Sequence, residues 1–203
     1  MRRERALLLA TLRARLLGRS DALRWADPTE LDAAWDERAK LVATLVPPGT
    51  RVVEFGAGRQ RLRAFLDPTC TYLPTDLVRR TPELLVIDLN DVPLPDLAPH
   101  APDTAVFCGV LEYVRDLNAL AHWLGRHVRR CIASYECAHT RPRTVARARE
   151  TYRRARKGWI NTYDHAELLA VFASAGFDCS AEHLWQTPDG DEPIFVFTRG
   201  IAP

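Results

Sequence analysis

The segment Arg51 to Arg61, Arg-Val-Val-Glu-Phe-Gly-Ala-Gly-Arg-Gln-Arg, limits the possible folds more than any other part of this chain. A short apolar run, Val52-Val53 with Phe55, meets two glycines spaced Gly-x-Gly, and a helix-compatible stretch with Leu62, Phe65 and Leu66 follows. The pattern predicts strand, tight turn, helix. Glycine tolerates positive φ at such a turn and lets a ligand approach the backbone, while a new helix presents free N–H groups to it. The segment is a candidate small-molecule site.

Two details narrow the ligand. A dinucleotide-binding turn carries a further glycine three residues after the second, where this chain has Arg61, so that fingerprint fails. Glu54 stands two residues before Gly56; its carboxylate would repel a pyrophosphate and suits a ligand with a cationic end. Glu54, Gly56 and Gly58, with Ala57 between the glycines, match the pattern acid-x-Gly-x-Gly. Here the chain resembles the class I S-adenosylmethionine-dependent methyltransferases, whose first motif adds a third glycine; Gln60 replaces it. The implied cofactor is S-adenosyl-L-methionine, which bears an ammonium and a sulfonium.

Further along, Thr71-Tyr72-Leu73 reads as a second strand leading to Pro74-Thr75-Asp76. Asp76 lies 20 residues beyond Gly56, the spacing at which an acid accepts hydrogen bonds from ribose hydroxyls. Leu77 adjoins it. Leu84 to Ile87 is a third strand, and the resemblance implies that Asp88 and Leu89 after it face the adenine. Asp103 to Cys108 is a fourth strand, followed by Gly109-Val-Leu-Glu-Tyr-Val114, which is similar to a methyltransferase element often reading Val-Leu-Glu-His-Val. Small Gly109 is expected to give access to the crevice at the strand ends. A helix from about Asp116 to Arg126 and a strand from Val128 to Ser134 come next. Such alternation predicts an α/β fold: a doubly wound, mostly parallel, seven-stranded Rossmann-like sheet with N-terminal helices.

Methyl transfer is an in-line displacement that rests chiefly on positioning, and a hydroxyl acceptor needs a base. Candidates near the strand ends are Tyr135, Glu136 and His139 after strand five, and Glu112 after strand four. The expected acceptor is a small molecule or a saccharide, the latter only by association with relatives in glycan pathways, and O-methylation is the expected reaction. A catalytically silent binding or scaffold protein of the same fold is the alternative, with an NAD-dependent oxidoreductase behind it.

With 203 residues, 47% hydrophobic and 27% charged, the chain is expected to be one domain with an ordinary core. It divides into N-terminal helices (1–48), a cofactor-binding half (49–135), a basic helical insertion or lid (136–161), and a last helix with a C-terminal β-hairpin (162–203). A net charge of +2 does not point to nucleic acid. Five cysteines without Cys-x-x-Cys or metal-ligand spacing predict no metal, reduced thiols and a cytoplasmic location. No apolar stretch reaches the roughly 20 residues of a membrane span. Residues 1–18, with Leu8, Leu12 and Leu16 on one side, are expected as an amphipathic helix that covers the site or meets a second subunit of a homodimer.

Two more helices are punctuated. Asp27-Pro28-Thr29-Glu30 reads as the start of a helix carrying Leu31, Trp35, Val42 and Leu45. Asp164 with Glu167 opens the last helix and Gly176 stops it. In the basic insertion, Val145, Ala148, Tyr152, Ala155 and Trp159 fall at helical spacing, which predicts an apolar inner face. Its arginines, among them Arg153 and Arg154, would then meet an anionic acceptor or partner.

Overall fold

The central parallel strands are short, mostly apolar runs buried on both faces, as a sheet covered on both sides requires. The computed structural model describes residues 11, 20–139, 143–187 and 190–200. Among these, seven strands form one sheet: β1 (Arg51–Phe55), β2 (Thr71–Asp76), β3 (Leu85–Val86), β4 (Thr104–Cys108), β5 (Arg130–Ser134), β6 (Asp178–Thr187) and β7 (Gly190–Thr198). Their order is β3-β2-β1-β4-β5-β7-β6. β1 to β5 are mutually parallel, and β7 lies antiparallel between β5 and β6. The predicted fold class is thus observed.

The antiparallel insertion has a consequence for the site. Ser134 at the end of β5 pairs with Ile194, and Glu192 pairs with Trp185. The start of β7 and the end of β6 therefore arrive at the same edge as the carboxyl ends of the parallel strands.

The described helices are α1 (Ala22–Ala26), α2 (Trp35–Thr44), α3 (Leu117–His127), α4 (Val145–Arg156) and α5 (His165–Ser174). α3 and α5 cover one face of the sheet, where Phe55 stacks on Phe107 and Phe172 on Phe197. α2 covers the other through Val42 and Val46, which pack with Val52, Val106 and Ile132. Asp116 caps α3, and Asp164 and Glu167 form the expected capping box of α5. A cap of this kind contributes about 1 kcal/mol.

Several expectations are corrected. The helix after the glycine turn is a single 3₁₀ turn, Leu62–Ala64. Gln60 has φ 56, which starts no right-handed helix, and Pro68 disfavours helical backbone at Asp67. Asp27 likewise caps only the 3₁₀ turn Pro28–Glu30, and the α-helix begins at Trp35. Between them the Asp32 carboxylate accepts the Ala34 N–H, a local bond that competes with helix. β3 and β5 are shorter than expected, and among the described residues no α-helix separates β2, β3 and β4. The expected helix over residues 1–18 lies outside the described residues.

The largest correction concerns α4. Its expected inner residues Val145 and Tyr152 are 72% and 69% exposed, while Arg147, Glu150 and Arg154 are buried. Polar partners on the neighbouring elements turn the helix over. Arg147 pairs with Glu167 and Asp164, and Glu150 Oε1 accepts the His139 N–H. The Arg154 guanidinium lies over the Trp159 ring at 4.5 Å and donates to the Tyr135 hydroxyl. Burying charge is favourable only with such partners.

Candidate active site

A cavity of about 750 Å³ opens at the carboxyl ends of the parallel strands. Each of the nine candidate cofactor residues lines it: Glu54, Gly56, Ala57, Gly58, Asp76, Leu77, Asp88, Leu89 and Gly109. The glycine turn is the tightest part. Gly56 has φ +68, and a Cβ there would lie 2.5 Å from Val110 Cγ2, so no side chain is admitted. The Gly58 N–H donates to Asp76 Oδ2 at 2.8 Å, and the Ala57 N–H to the Thr75 carbonyl. These bonds join the loop after β1 to the end of β2. Gln60 has a left-handed backbone, with φ 56, and its Nε2 donates to Thr81 Oγ1 at 2.8 Å.

Asp76 also accepts the Val78 N–H and pairs with Arg80 at 2.9 Å. Asp88 accepts from Ser20 Oγ at 2.6 Å and from the Asn90 N–H. Glu54 is 4% exposed, and the Tyr72 hydroxyl donates to its Oε2. Burial pushes the Glu54 carboxyl up to about 8, against the opposing pull of that hydrogen bond.

Gly109 lines the cavity, and its small size also matters to a residue of this chain. It has φ +67, and a Cβ there would lie 2.7 Å from Arg38 Nη1. The small residue makes room for a guanidinium of this chain. Arg38 reaches over from α2, pairs with Glu192 at 2.9 Å, donates to the Cys108 carbonyl, and lies between the rings of Trp35 and Trp185.

Of the four candidate bases two line the cavity: Glu136, which pairs with Lys157, and Glu112. Glu112 is 2% exposed; its Oε1 accepts the Glu136 N–H at 2.9 Å, and its Oε2 is buried without a hydrogen-bond partner among the described residues. Burial, and next the charge of Glu192, push its carboxyl up to about 7, against the Glu136 N–H and Arg38. Tyr135 does not line the cavity. It is fully buried; its hydroxyl donates to Asn161 Oδ1 and accepts from the Tyr163 N–H and Arg154. His139 does not line it either; its N–H is held by Glu150 under α4. No described residue of α4 lines the cavity, although Lys157 and Trp159 just after it do. The arginines of α4 therefore do not face the candidate site.

Four of the five tryptophans, Trp25, Trp35, Trp159 and Trp185, line the cavity, along with Tyr113. Sequence reasoning missed them because they come from four separate segments, and Trp35 and Trp159 read there as core positions. Tyr72 was missed as well; only the bond from its hydroxyl on β2 to the Glu54 carboxylate on β1 shows its part.

No protein-family model and no curated protein sequence matches the chain. Its fold is that of methyltransferases among the solved structures. The 1,6-didemethyltoxoflavin-N1-methyltransferase of Burkholderia thailandensis, solved with 1,6-didemethyltoxoflavin and S-adenosylhomocysteine, is similar with a TM-score of 0.66 at 17% identity, over 94% of this chain and 88% of that one. The mitomycin 7-O-methyltransferase gives a TM-score of 0.60 at 13% identity, over 98% of this chain and 68% of that one. Magnesium protoporphyrin IX methyltransferase from Synechocystis, solved with S-adenosylmethionine, gives 0.54 at 16% identity, over 82% of this chain and 78% of that one. Among the described residues no helix is long and apolar enough to cross a membrane.

Proposed function

We propose that this protein is an S-adenosylmethionine-dependent methyltransferase acting on a small-molecule acceptor. One observation carries the reading: all nine residues that the sequence marks for the cofactor line a single cavity at the strand ends. The donor chemistry fits. Asp76, already fixed by three partners, has acceptor capacity left for ribose hydroxyls. Glu54, with its carboxyl raised to about 8 by burial, is a site that a cationic group would stabilise in its ionised form. Asp88 and Leu89 would stand at the adenine. The acid-bearing turn and the absence of glycine at Arg61 argue against a dinucleotide.

The cofactor supplies an electrophilic methyl group on sulfonium. The chain's part is to hold the acceptor in line with it, a contribution on the order of 7–11 kcal/mol at best. Glu112 would take the proton of an acceptor hydroxyl or amine as that group's lone pair turns to the methyl carbon the bound cofactor would supply. A base raised to about 7 is matched to neutral pH. The free thiols of all five cysteines support a reducing, cytoplasmic setting.

Calorimetric titration with S-adenosylmethionine, S-adenosylhomocysteine and NADH tests the reading. Micromolar binding of the adenosyl ligands, weakened at least about tenfold by Asp76→Ala, is expected. Binding of NADH alone would replace the reading with an oxidoreductase; adenosyl binding without turnover on any acceptor would favour a silent scaffold.

A further inference from the structure

The acceptor end of the cavity has its own chemistry. The candidate cofactor residues come from the ends of β1 to β3 and the turn after β4. At the other side of the sheet the wall includes Glu112, Glu136, Trp185 and Glu192, with Trp159 arriving from the segment after α4, and the cations Arg38 and Lys157. Three carboxylates thus face one space. Two have cationic partners within the chain: Glu192 pairs with Arg38 at 2.9 Å, and Glu136 with Lys157 at 3.6 Å. Glu112 forms no ion pair among the described residues; it lines the cavity, and its Oε2 is buried and lacks a hydrogen-bond donor among the described residues. Such an atom is unfavourable unless a ligand brings the donor.

The neighbouring surface says what kind of donor. Trp159 and Trp185 are half-buried and present indole rings to the cavity. Arg38 lies over Trp185 at 5.0 Å and Lys157 over Trp159 at 4.4 Å, so both rings already hold cations in the resting chain. Aromatic faces beside carboxylates in a poorly solvated space favour cations and exclude anions.

We propose, building on the methyltransferase reading, that the acceptor is a planar, nitrogen-bearing compound whose N–H group donates to Glu112 Oε2 while its ring packs on the tryptophan wall. An anionic acceptor, the one a basic lid would have served, meets the one carboxylate of this wall without an ion-pair partner among the described residues, Glu112, and is disfavoured. A neutral hydroxyl compound satisfies Glu112 but gains nothing from the charges around it.

Three probes sharing one ring and differing in charge test this: tryptamine, tryptophol and indole-3-acetate, titrated calorimetrically at about pH 8, where an alkyl amine is cationic. Each is titrated into the whole chain with and without S-adenosylhomocysteine. Tryptamine is expected to bind at least about tenfold tighter than indole-3-acetate and several-fold tighter than tryptophol. Glu112→Gln should bring tryptamine to within about threefold of tryptophol while leaving S-adenosylhomocysteine affinity unchanged, which also shows that the variant is folded. Trp185→Leu should weaken all three probes together. Indole-3-acetate binding as tightly as tryptamine, no binding of any probe, or an amine preference that survives Glu112→Gln would each overturn the proposal. Failure of S-adenosylhomocysteine alone to bind would instead overturn the cofactor reading, since the probe titrations without it still report on this wall.

Discussion

Replacing Glu112 by glutamine should stabilise the protein at alkaline pH while removing its proton acceptor. The carboxyl is raised from its ordinary value of 4.5 to about 7, by burial first and the facing charge of Glu192 second, with the Glu136 N–H and Arg38 opposing. A folded-state value above the unfolded one means that the unfolded chain loses the proton first. Stability from the neutral acid is complete below about pH 4.5 and is lost progressively as pH rises to about 7. The rise of about 2.5 pH units corresponds to about 3 kcal/mol at about 1.4 kcal/mol per unit. Glutamine has the same shape, can keep the bond from the Glu136 N–H and does not titrate. Its advantage over wild type should therefore grow by about 2 kcal/mol between pH 5 and pH 8. Glu54, raised to about 8 by its own burial, is common to both proteins and cancels in the comparison. Urea unfolding at the two pH values measures the difference, with equal slopes confirming that the same surface is exposed. A glutamine variant no more stable than wild type at pH 8, or an advantage that does not change with pH, would refute the reasoning.

Three other substitutions probe the turn, the guanidinium and the basic helix. Gln60→Gly relieves a left-handed backbone worth about 1–2 kcal/mol but loses the Thr81 bond and adds unfolded-state freedom, so stability should change by less than about 1 kcal/mol and cofactor affinity by little; a hundredfold gain in affinity would show that Gln60 obstructs the site. Gly109→Ala places a Cβ where Arg38 Nη1 lies 2.7 Å away, and thermal and urea unfolding should show a loss of about 3 kcal/mol or more as the Arg38–Glu192 pair is displaced. Arg154→Ala should cost about 3–5 kcal/mol because its guanidinium is buried against Tyr135 and Trp159, whereas exposed Arg153→Ala should stay within about 0.5 kcal/mol; equal costs would contradict the orientation of α4.

The cofactor half of the site was legible because its signals are local. Gly56 and Gly58 are required by backbone geometry at one turn, and Asp76 and Asp88 close strands whose apolar runs are continuous in sequence. The acceptor half was not. Tyr135 and His139 follow β5 as a base might, yet nothing in the sequence reports that Asn161 and Tyr163 hold the Tyr135 hydroxyl, that Glu150 takes the His139 backbone N–H, or that neither residue lines the cavity. The α4 stripe failed for a related reason: helical spacing fixes which residues share a face, and the neighbours decide which face turns inward. Here Asp164, Glu167 and Tyr135 are polar neighbours, and the arginines went to them.

By itself, then, the sequence determined the α/β architecture, the glycine turn and the acids at the ends of β1, β2 and β3, since each follows from chain conformation within a few residues. The tertiary structure alone decided that Arg38 occupies the space over Gly109, that Tyr72 holds Glu54, and that Glu112 is a buried acid with an unpartnered oxygen beside Glu192 and Trp185. Those relations join residues from separate strands and helices, and the dielectric, the charges and the open volume that give them chemical meaning exist only once the sheet is assembled.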